Sequence, residues 1–259
     1  MNKFKYGFLD PESTEKSEFE KFYDKLQLKY KPFFVYFFEL NSFCHKNIEL
    51  LNVKEIEGGQ NKLCIALFLE CLEIFQGVFI LTQKGMIQPA RIILRSMVET
   101  VCLLEKVAND ESYIKKYLEQ SKFNEKEALK ILDENNFPTP SIDISEEIIK
   151  ITEKIKSIDK IIIKDLIKTS KCPSLWIVYF ELSQSVHSTP YDIIRQYLAD
   201  NGQFLYGPRE ERIDLIFTGL FSVVLIALTE INSKFNLNLD EEIDNLNKEY
   251  LKIRQYNKC

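Results

Sequence analysis

The chain has 259 residues, of which 45% are hydrophobic and 28% charged, and its formal net charge is −5. A chain of this length can bury an apolar core without help from disulfides or structural metal ions. The acidic balance argues against a protein that coats nucleic acid non-specifically through a dense basic surface. With only 8 glycines and 8 prolines, the sequence predicts long helices and few turns.

The six cysteines lie mostly in apolar runs and show no C-x-x-C pairing. This pattern favours buried free thiols in a reducing compartment over a disulfide framework or a zinc site. The N-terminus, MNKFKYGFLDPESTEK, lacks the apolar core of a signal peptide. The longest largely apolar stretch, residues 215–228, is 14 residues long and too short to cross a bilayer. We therefore expect a cytoplasmic protein with no membrane span.

Helical periodicity runs through nearly the whole chain. Residues 10–29 predict an amphipathic outer helix, and residues 32–51 predict a second helix dense in aromatic side chains. Two apolar segments, 61–82 and 87–107, are separated by the turn Lys84-Gly85 and predict a central helical hairpin.

The second half of the chain continues the helical pattern around one clear linker, Phe137-Pro138-Thr139-Pro140-Ser141. Gly207-Pro208 is typical of a helix start and predicts the beginning of a long core helix that reaches about Lys234. The other predicted helices span residues 110–135, 145–158, 161–167, 173–188, 191–198 and 240–256.

No segment alternates with a period of two over the length of a strand. The predicted fold class is therefore all-α, a multi-helix bundle with a central apolar helical hairpin. Residues 1–259 are expected to form one domain, with residues 110–170 as a candidate charged helical insertion. The aromatic density of residues 33–43 exceeds what an outer helix needs, which predicts a homodimer.

Arg91, Arg95 and Glu99 recur every four residues and form one polar stripe on an otherwise apolar helix. The structural interpretation is an ion pair, between Arg95 and Glu99 or with Glu70 and Glu73 on the preceding helix. The functional interpretation makes Arg95 an anion-binding group, because a guanidinium held by a carboxylate keeps its fork directed at a phosphate or carboxylate ligand.

Tyr179, Ser183 and His187 show the same spacing and place a phenol, a hydroxyl and an imidazole on one helical face. His187 is one of two histidines and thus one of few groups that titrate near neutral pH. A lone histidine is more often structural than catalytic, but its place at a predicted helix end favours chemistry, since helix ends open toward clefts. We expect both stripes to converge in one polar pocket, because separate burial would leave more polar groups unsatisfied.

On these two motifs, R-x-x-x-E at Arg95 and Glu99 and Y-x-x-x-S-x-x-x-H at Tyr179, Ser183 and His187, the chain resembles an uncharacterised bacterial helical domain family across roughly residues 60–230. That family is similar to the HEPN superfamily, which includes metal-independent ribonucleases of toxin–antitoxin and anti-phage systems that usually act across a dimer. The HEPN motif has an arginine shortly before its histidine, whereas no arginine lies four to six residues before His187.

The resemblance implies a metal-independent endoribonuclease that acts by transesterification. His187 would move the proton of the 2′-hydroxyl, and Arg95 would stabilise the phosphorane charge. Tyr179 or Ser183 would orient the phosphate or the imidazole, with Arg91 and Glu99 in supporting or substrate-binding roles.

The alternative is a non-catalytic helical interaction or sensor protein, which binds a small anionic ligand or a protein partner. We predict no cofactor and no metal site. Di-iron bundles need Glu-x-x-His pairs, and neither His45 nor His187 has a glutamate three residues earlier.

Overall fold

The protein is described here by a computed structural model. The described residues are 18–51, 57–135, 144–155, 161–186, 193–194, 197–198, 202 and 206–256. Of this part of the chain, 84% is helical and none forms a strand, which confirms the all-α prediction. The predicted linker at residues 137–141 and most of the predicted helix 191–198 lie outside the described residues.

The described ranges contain ten helices of six or more residues. Their bounds are α1 Glu18–Lys29, α2 Lys31–Leu50, α3 Gly59–Gln83, α4 Ile87–Asn109, α5 Tyr113–Glu134, α6 Ile144–Ile155, α7 Ile163–Lys168, α8 Ser174–Val186, α9 Ile213–Phe235 and α10 Asp240–Tyr256.

The hairpin of α3 and α4 forms the centre of the bundle, as predicted. Helix α9 packs against both arms of the hairpin, and α8 packs against α4. These helices are apolar on more than one face because each has neighbours on more than one side. Phe75 of α3, Met97 of α4 and Phe221 of α9 are completely buried.

Helix α9 begins later than the sequence predicts. The expected start was Gly207-Pro208, whereas the first helical residue is Ile213. Arg212 has φ 65° and ψ 16°, which is the left-handed region, and a right-handed helix cannot pass through such a residue. The segment from Gly207 to Arg212 instead runs beside the α3–α4 turn, where the amide of Arg209 donates to the carbonyl of Gly85 at 3.2 Å.

Two helices, α3 and α9, are long and apolar enough to cross a membrane by length and composition. Within their most apolar windows, 50% of α3 and 61% of α9 is buried inside the protein. Core helices of soluble proteins pass the same test, so this finding leaves the expected absence of a membrane span as a prediction.

Candidate functional site

The centre of the predicted site is a contact between α4 and α8 at Arg95. Nη2 of Arg95 lies 3.0 Å from Oε1 of Glu99 and donates a hydrogen bond to the hydroxyl of Tyr179 at 2.9 Å. The guanidinium carbon also lies 4.9 Å from the centroid of the Tyr179 ring. Arg95 is thereby fixed by a carboxylate on its own helix and by a phenol from α8.

This contact lies at the edge of the core. The side chains of Arg95 and Glu99 are 19% and 28% exposed, whereas Tyr179 is buried at 8%. Nε of Arg95 is buried and has no hydrogen-bond partner in the described part of the chain. Both polar contacts use Nη2. The Arg95 guanidinium is therefore held in place while other N–H groups, including that of Nε, have no acceptor in the described part of the chain.

Arg91 makes a second link between the same helices. Its side chain is buried, and its Nη2 donates to the backbone carbonyl of Glu181 at 3.1 Å. Arg95 follows Arg91 along α4, whereas its partner Tyr179 precedes Glu181 along α8. The two helices therefore run antiparallel at this contact. The predicted ion pairs of the stripe with Glu70 and Glu73 are not formed among the described residues, where both glutamates are exposed.

The remaining members of the second stripe are less involved. The hydroxyl of Ser183 donates to the carbonyl of Tyr179 at 2.7 Å, so it serves its own helix rather than Arg95. His187 directly follows Val186, the last residue of α8, and lies outside the described residues. The contact thus brings together Arg95, Glu99 and Tyr179, with Arg91 beside them, and a pocket shared with His187 stays a prediction.

A polar network at the other end of α4 was not found from the sequence. Both carboxylate oxygens of the buried Glu105 accept hydrogen bonds, from the Ser170 hydroxyl at 2.6 Å and from the Lys171 amide at 2.7 Å. Nζ of Lys171 donates to Asn109 at 2.9 Å, and Asn109 donates to Glu230 of α9 at 2.9 Å. In the sequence, the network is marked only by Glu105 and Glu230, which are acidic residues within the apolar helices α4 and α9.

This network connects several parts of the fold. Its members satisfy one another and tie the loop between α7 and α8 to α4 and α9, which fixes where α8 starts. Within the described ranges, no group of three or more histidine, cysteine or acidic side chains is placed to hold a metal ion.

The sequence matches a family of unknown function, DUF5677, over residues 61–205. Since the match covers more than half of the chain, the protein belongs to this family. The matched region runs from α3 past α8 and includes Arg95, Glu99, Tyr179 and Ser183. Neither a search of curated proteins nor a search of solved structures finds a match. Membership supports the expected uncharacterised helical family and carries no activity with it.

Proposed function

We propose that this member of the DUF5677 family is a HEPN-like, metal-independent ribonuclease of bacterial defence or toxin type. The observation that supports the proposal is the Arg95 guanidinium, which Glu99 and Tyr179 hold in place at a partly exposed position between α4 and α8. A pre-positioned cation at the edge of the core is what stabilisation of a developing phosphate charge requires. The likeness to HEPN proteins rests on the sequence motifs alone.

The proposed reaction is the transesterification of RNA. His187 removes the proton of the 2′-hydroxyl and the 2′-oxygen attacks the adjacent phosphorus. The bond from phosphorus to the 5′-oxygen then breaks, and the 5′-oxygen takes a proton from water. Arg95 stabilises the extra negative charge on the phosphorane, and Glu99 keeps its guanidinium directed at the phosphate. The products are a 2′,3′-cyclic phosphate and a 5′-hydroxyl end. The role proposed for His187 rests on its spacing in the sequence, because it follows Ser183 by four residues.

The second candidate is a non-catalytic sensor of a small anionic ligand. Two observations favour it: Glu99 already balances the charge of Arg95, and the hydroxyl of Ser183 is bonded within α8. A structural ion pair with satisfied neighbours needs no catalytic role.

The two candidates are separated by incubating labelled RNA with the protein in the presence of a chelator. We expect the wild-type protein to cleave RNA and leave cyclic phosphate ends, and we expect His187→Ala to abolish cleavage. His45→Ala is the matched control, because His45 is the other histidine of the chain and is exposed on α2. It should cleave like the wild type.

Intact RNA after incubation with folded wild-type protein, across several RNA sequences and structures, would exclude the nuclease. Cleavage that persists in His187→Ala would exclude the assigned base. If RNA stays intact, weaker binding of phosphate-bearing ligands by Arg95→Ala than by the wild type would support the second candidate, a non-catalytic sensor.

A further inference from the structure

A cavity of about 350 Å³ lies between α4, α8 and α9, beside the Arg95 contact but without Arg95 or Tyr179 in its lining. Its walls are apolar and include Leu94 of α4, Leu182 of α8 and Ile216 of α9. Gly219 of α9 also lines it, and a Cβ there would come within 3.2 Å of the Leu94 side chain. The absence of a side chain at Gly219 therefore helps to keep the three helices close around the space.

The charged residues that line this cavity are mostly cationic. Arg91, Arg212 and Arg254 line it together with a single acid, Glu181. Arg91 is buried and donates to the Glu181 backbone carbonyl, whereas neither Arg212 nor Arg254 forms an ion pair within the described part of the chain. Two guanidinium groups without an ion-pair partner in the described part of the chain, Arg212 and Arg254, line one apolar space and attract a ligand that carries negative charge.

Arg212 reaches this cavity from an unusual backbone conformation. Its φ of 65° places a non-glycine residue in the left-handed region directly before α9. Such conformations cost energy and are concentrated at ligand-binding positions. Here the left-handed residue delays the start of α9 and leaves the Arg212 side chain at the wall of the cavity.

The lining also includes apolar side chains that are exposed to solvent. Ile177 of α8 is 66% exposed and Leu215 of α9 is 60% exposed, and both line the cavity. Two large aliphatic groups at a partly open space favour a ligand whose body is apolar, because it would remove them from water. A nucleotide base would find few hydrogen-bonding side chains on these walls.

We infer that this cavity binds a small amphipathic carboxylate, with an aliphatic chain between α4, α8 and α9 and its carboxylate held by Arg212 and Arg254. A cavity of roughly 150 Å³ holds benzene in other proteins, so 350 Å³ has room for a ligand of about ten to fourteen heavy atoms. A fatty acid of medium chain length has this size and this division between an apolar body and one charged end. Bidentate pairing with a carboxylate is the contact that arginine makes best.

The test is calorimetric titration of the full-length protein with decanoate, below the concentration at which it forms micelles. Decanol carries the same chain without the charge, and acetate carries the charge without the chain. We expect decanoate to bind at one site per chain and the other two to bind at least about tenfold more weakly. Arg212→Ala and Arg254→Ala should each weaken decanoate binding about tenfold. Lys252→Ala, an exposed cation of α10 outside the cavity lining, should not change it.

A second pair of variants tests the place of binding independently of the arginines. Leu215→Trp adds bulk to an exposed side chain of the lining and should abolish binding, whereas Leu251→Trp alters an exposed leucine of α10 outside the lining and should not. Equal affinity for decanol and decanoate, unchanged affinity in both arginine variants, or normal binding by Leu215→Trp would each overturn the inference. Absence of saturable decanoate binding by the wild type would overturn it as well.

Discussion

The hydroxyl of Tyr179 is the atom through which α8 holds Arg95. Tyr179→Phe removes its hydrogen bond to Nη2 but keeps the ring below the guanidinium, which lies 4.9 Å from the ring centroid. Because one hydrogen bond to a charged group is lost near the core edge, the free energy of unfolding should fall by about 1 to 2 kcal/mol. Urea denaturation followed by circular dichroism measures this change.

The control for that substitution is Tyr113→Phe. Tyr113 is partly buried and, like Tyr179, lies near a cation, with Nζ of Lys106 5.4 Å from its ring centroid. Its hydroxyl makes no hydrogen bond in the described part of the chain, so its loss should change stability by only a few tenths of a kcal/mol. Equal effects of the two substitutions would show that the Arg95 contact contributes nothing beyond ordinary packing.

The cysteines should divide into protected and reactive thiols. Cys44, Cys71 and Cys102 are buried, and burial raises the pKa of Cys44 and of Cys102 to about 12 and that of Cys71 further still. Since the thiolate is the nucleophile, these three should resist iodoacetamide at pH 8 in the folded protein. Cys172 is partly exposed and should be modified much faster.

Mass spectrometry of the peptides after labelling gives the extent of modification at each cysteine. Labelling in concentrated urea is the control, because all the thiols become accessible when the chain unfolds. If Cys44 of α2 were modified in the folded protein as fast as Cys172, that result would contradict the burial of the Cys44 thiol.

At the scale of the elements, the turn between α3 and α4 depends on Gly85. Its φ is 65°, and a Cβ at this position would lie 2.7 Å from the backbone nitrogen of Arg209. Gly85→Ala therefore combines left-handed strain with a clash against backbone that cannot move without shifting the segment before α9. We expect it to lower the free energy of unfolding by about 2 to 4 kcal/mol.

Gly58→Ala is the matched control for this turn. Gly58 also has a positive φ, 86°, but a Cβ there would meet nothing within 4 Å. With ψ 138° it lies in another region that L residues rarely adopt, so the substitution should cost the conformational strain alone, about 1 to 3 kcal/mol. Thermal or urea unfolding of both variants gives the difference, and a difference near zero would show that the α3–α4 turn does not need its contact with Arg209.

Helix positions were predictable where apolar periodicity was long and bounded by turn residues, as for α3, α4 and α10. The start of α9 was not predictable, because Gly207-Pro208 is a typical helix start by residue type, whereas nothing in the residue type of Arg212 predicts its left-handed backbone. For the site, the four-residue spacing predicted the contact between Arg95 and Glu99 along α4. It could not tell that Ser183 would bond its own helix while Tyr179 reached across to Arg95.

The cavity lay beyond sequence analysis for a related reason. Its arginines come from α4, from the residue before α9 and from α10, and Arg91 lies more than 100 residues before the other two. A pattern within one helix shows which residues share a face but not which faces of different helices enclose a space. Arg91 was singled out as a member of the α4 stripe, whereas Arg212 and Arg254 carry no motif at all.

At the scale of the whole molecule, the aromatic residues of α2 belong mainly to the core of the chain itself. Phe33 packs against Phe217 of α9 with ring centroids 5.3 Å apart, and Phe37 stacks on Phe79 of α3 at 3.5 Å. Tyr36 contacts Phe221 edge to face at 4.9 Å. This cluster joins α2, α3 and α9, so most of the aromatic density that predicted a homodimer is used within one chain.

Three large apolar side chains of α1 and α2 are exposed and form a strip along one shallow groove. Leu28 is 79% exposed, Val35 is 48% exposed and Phe38 is 59% exposed, and all three line that groove. Adjacent exposed side chains of this size are typical of an interaction surface. We therefore expect the chain to form a homodimer through this strip, because a self-complementary patch on each copy closes a two-fold interface.

Sedimentation velocity over a range of concentrations tests the homodimer. We expect the wild type to sediment as a dimer and Phe38→Lys to sediment as a folded monomer, because a lysine within the strip would place two like charges in an apolar interface. Phe180→Lys is the control, since Phe180 is similarly exposed at 55% but lies on α8. A monomeric wild type at every concentration would contradict the homodimer, and a monomeric Phe180→Lys beside a dimeric Phe38→Lys would move the interface from the α1–α2 strip to α8.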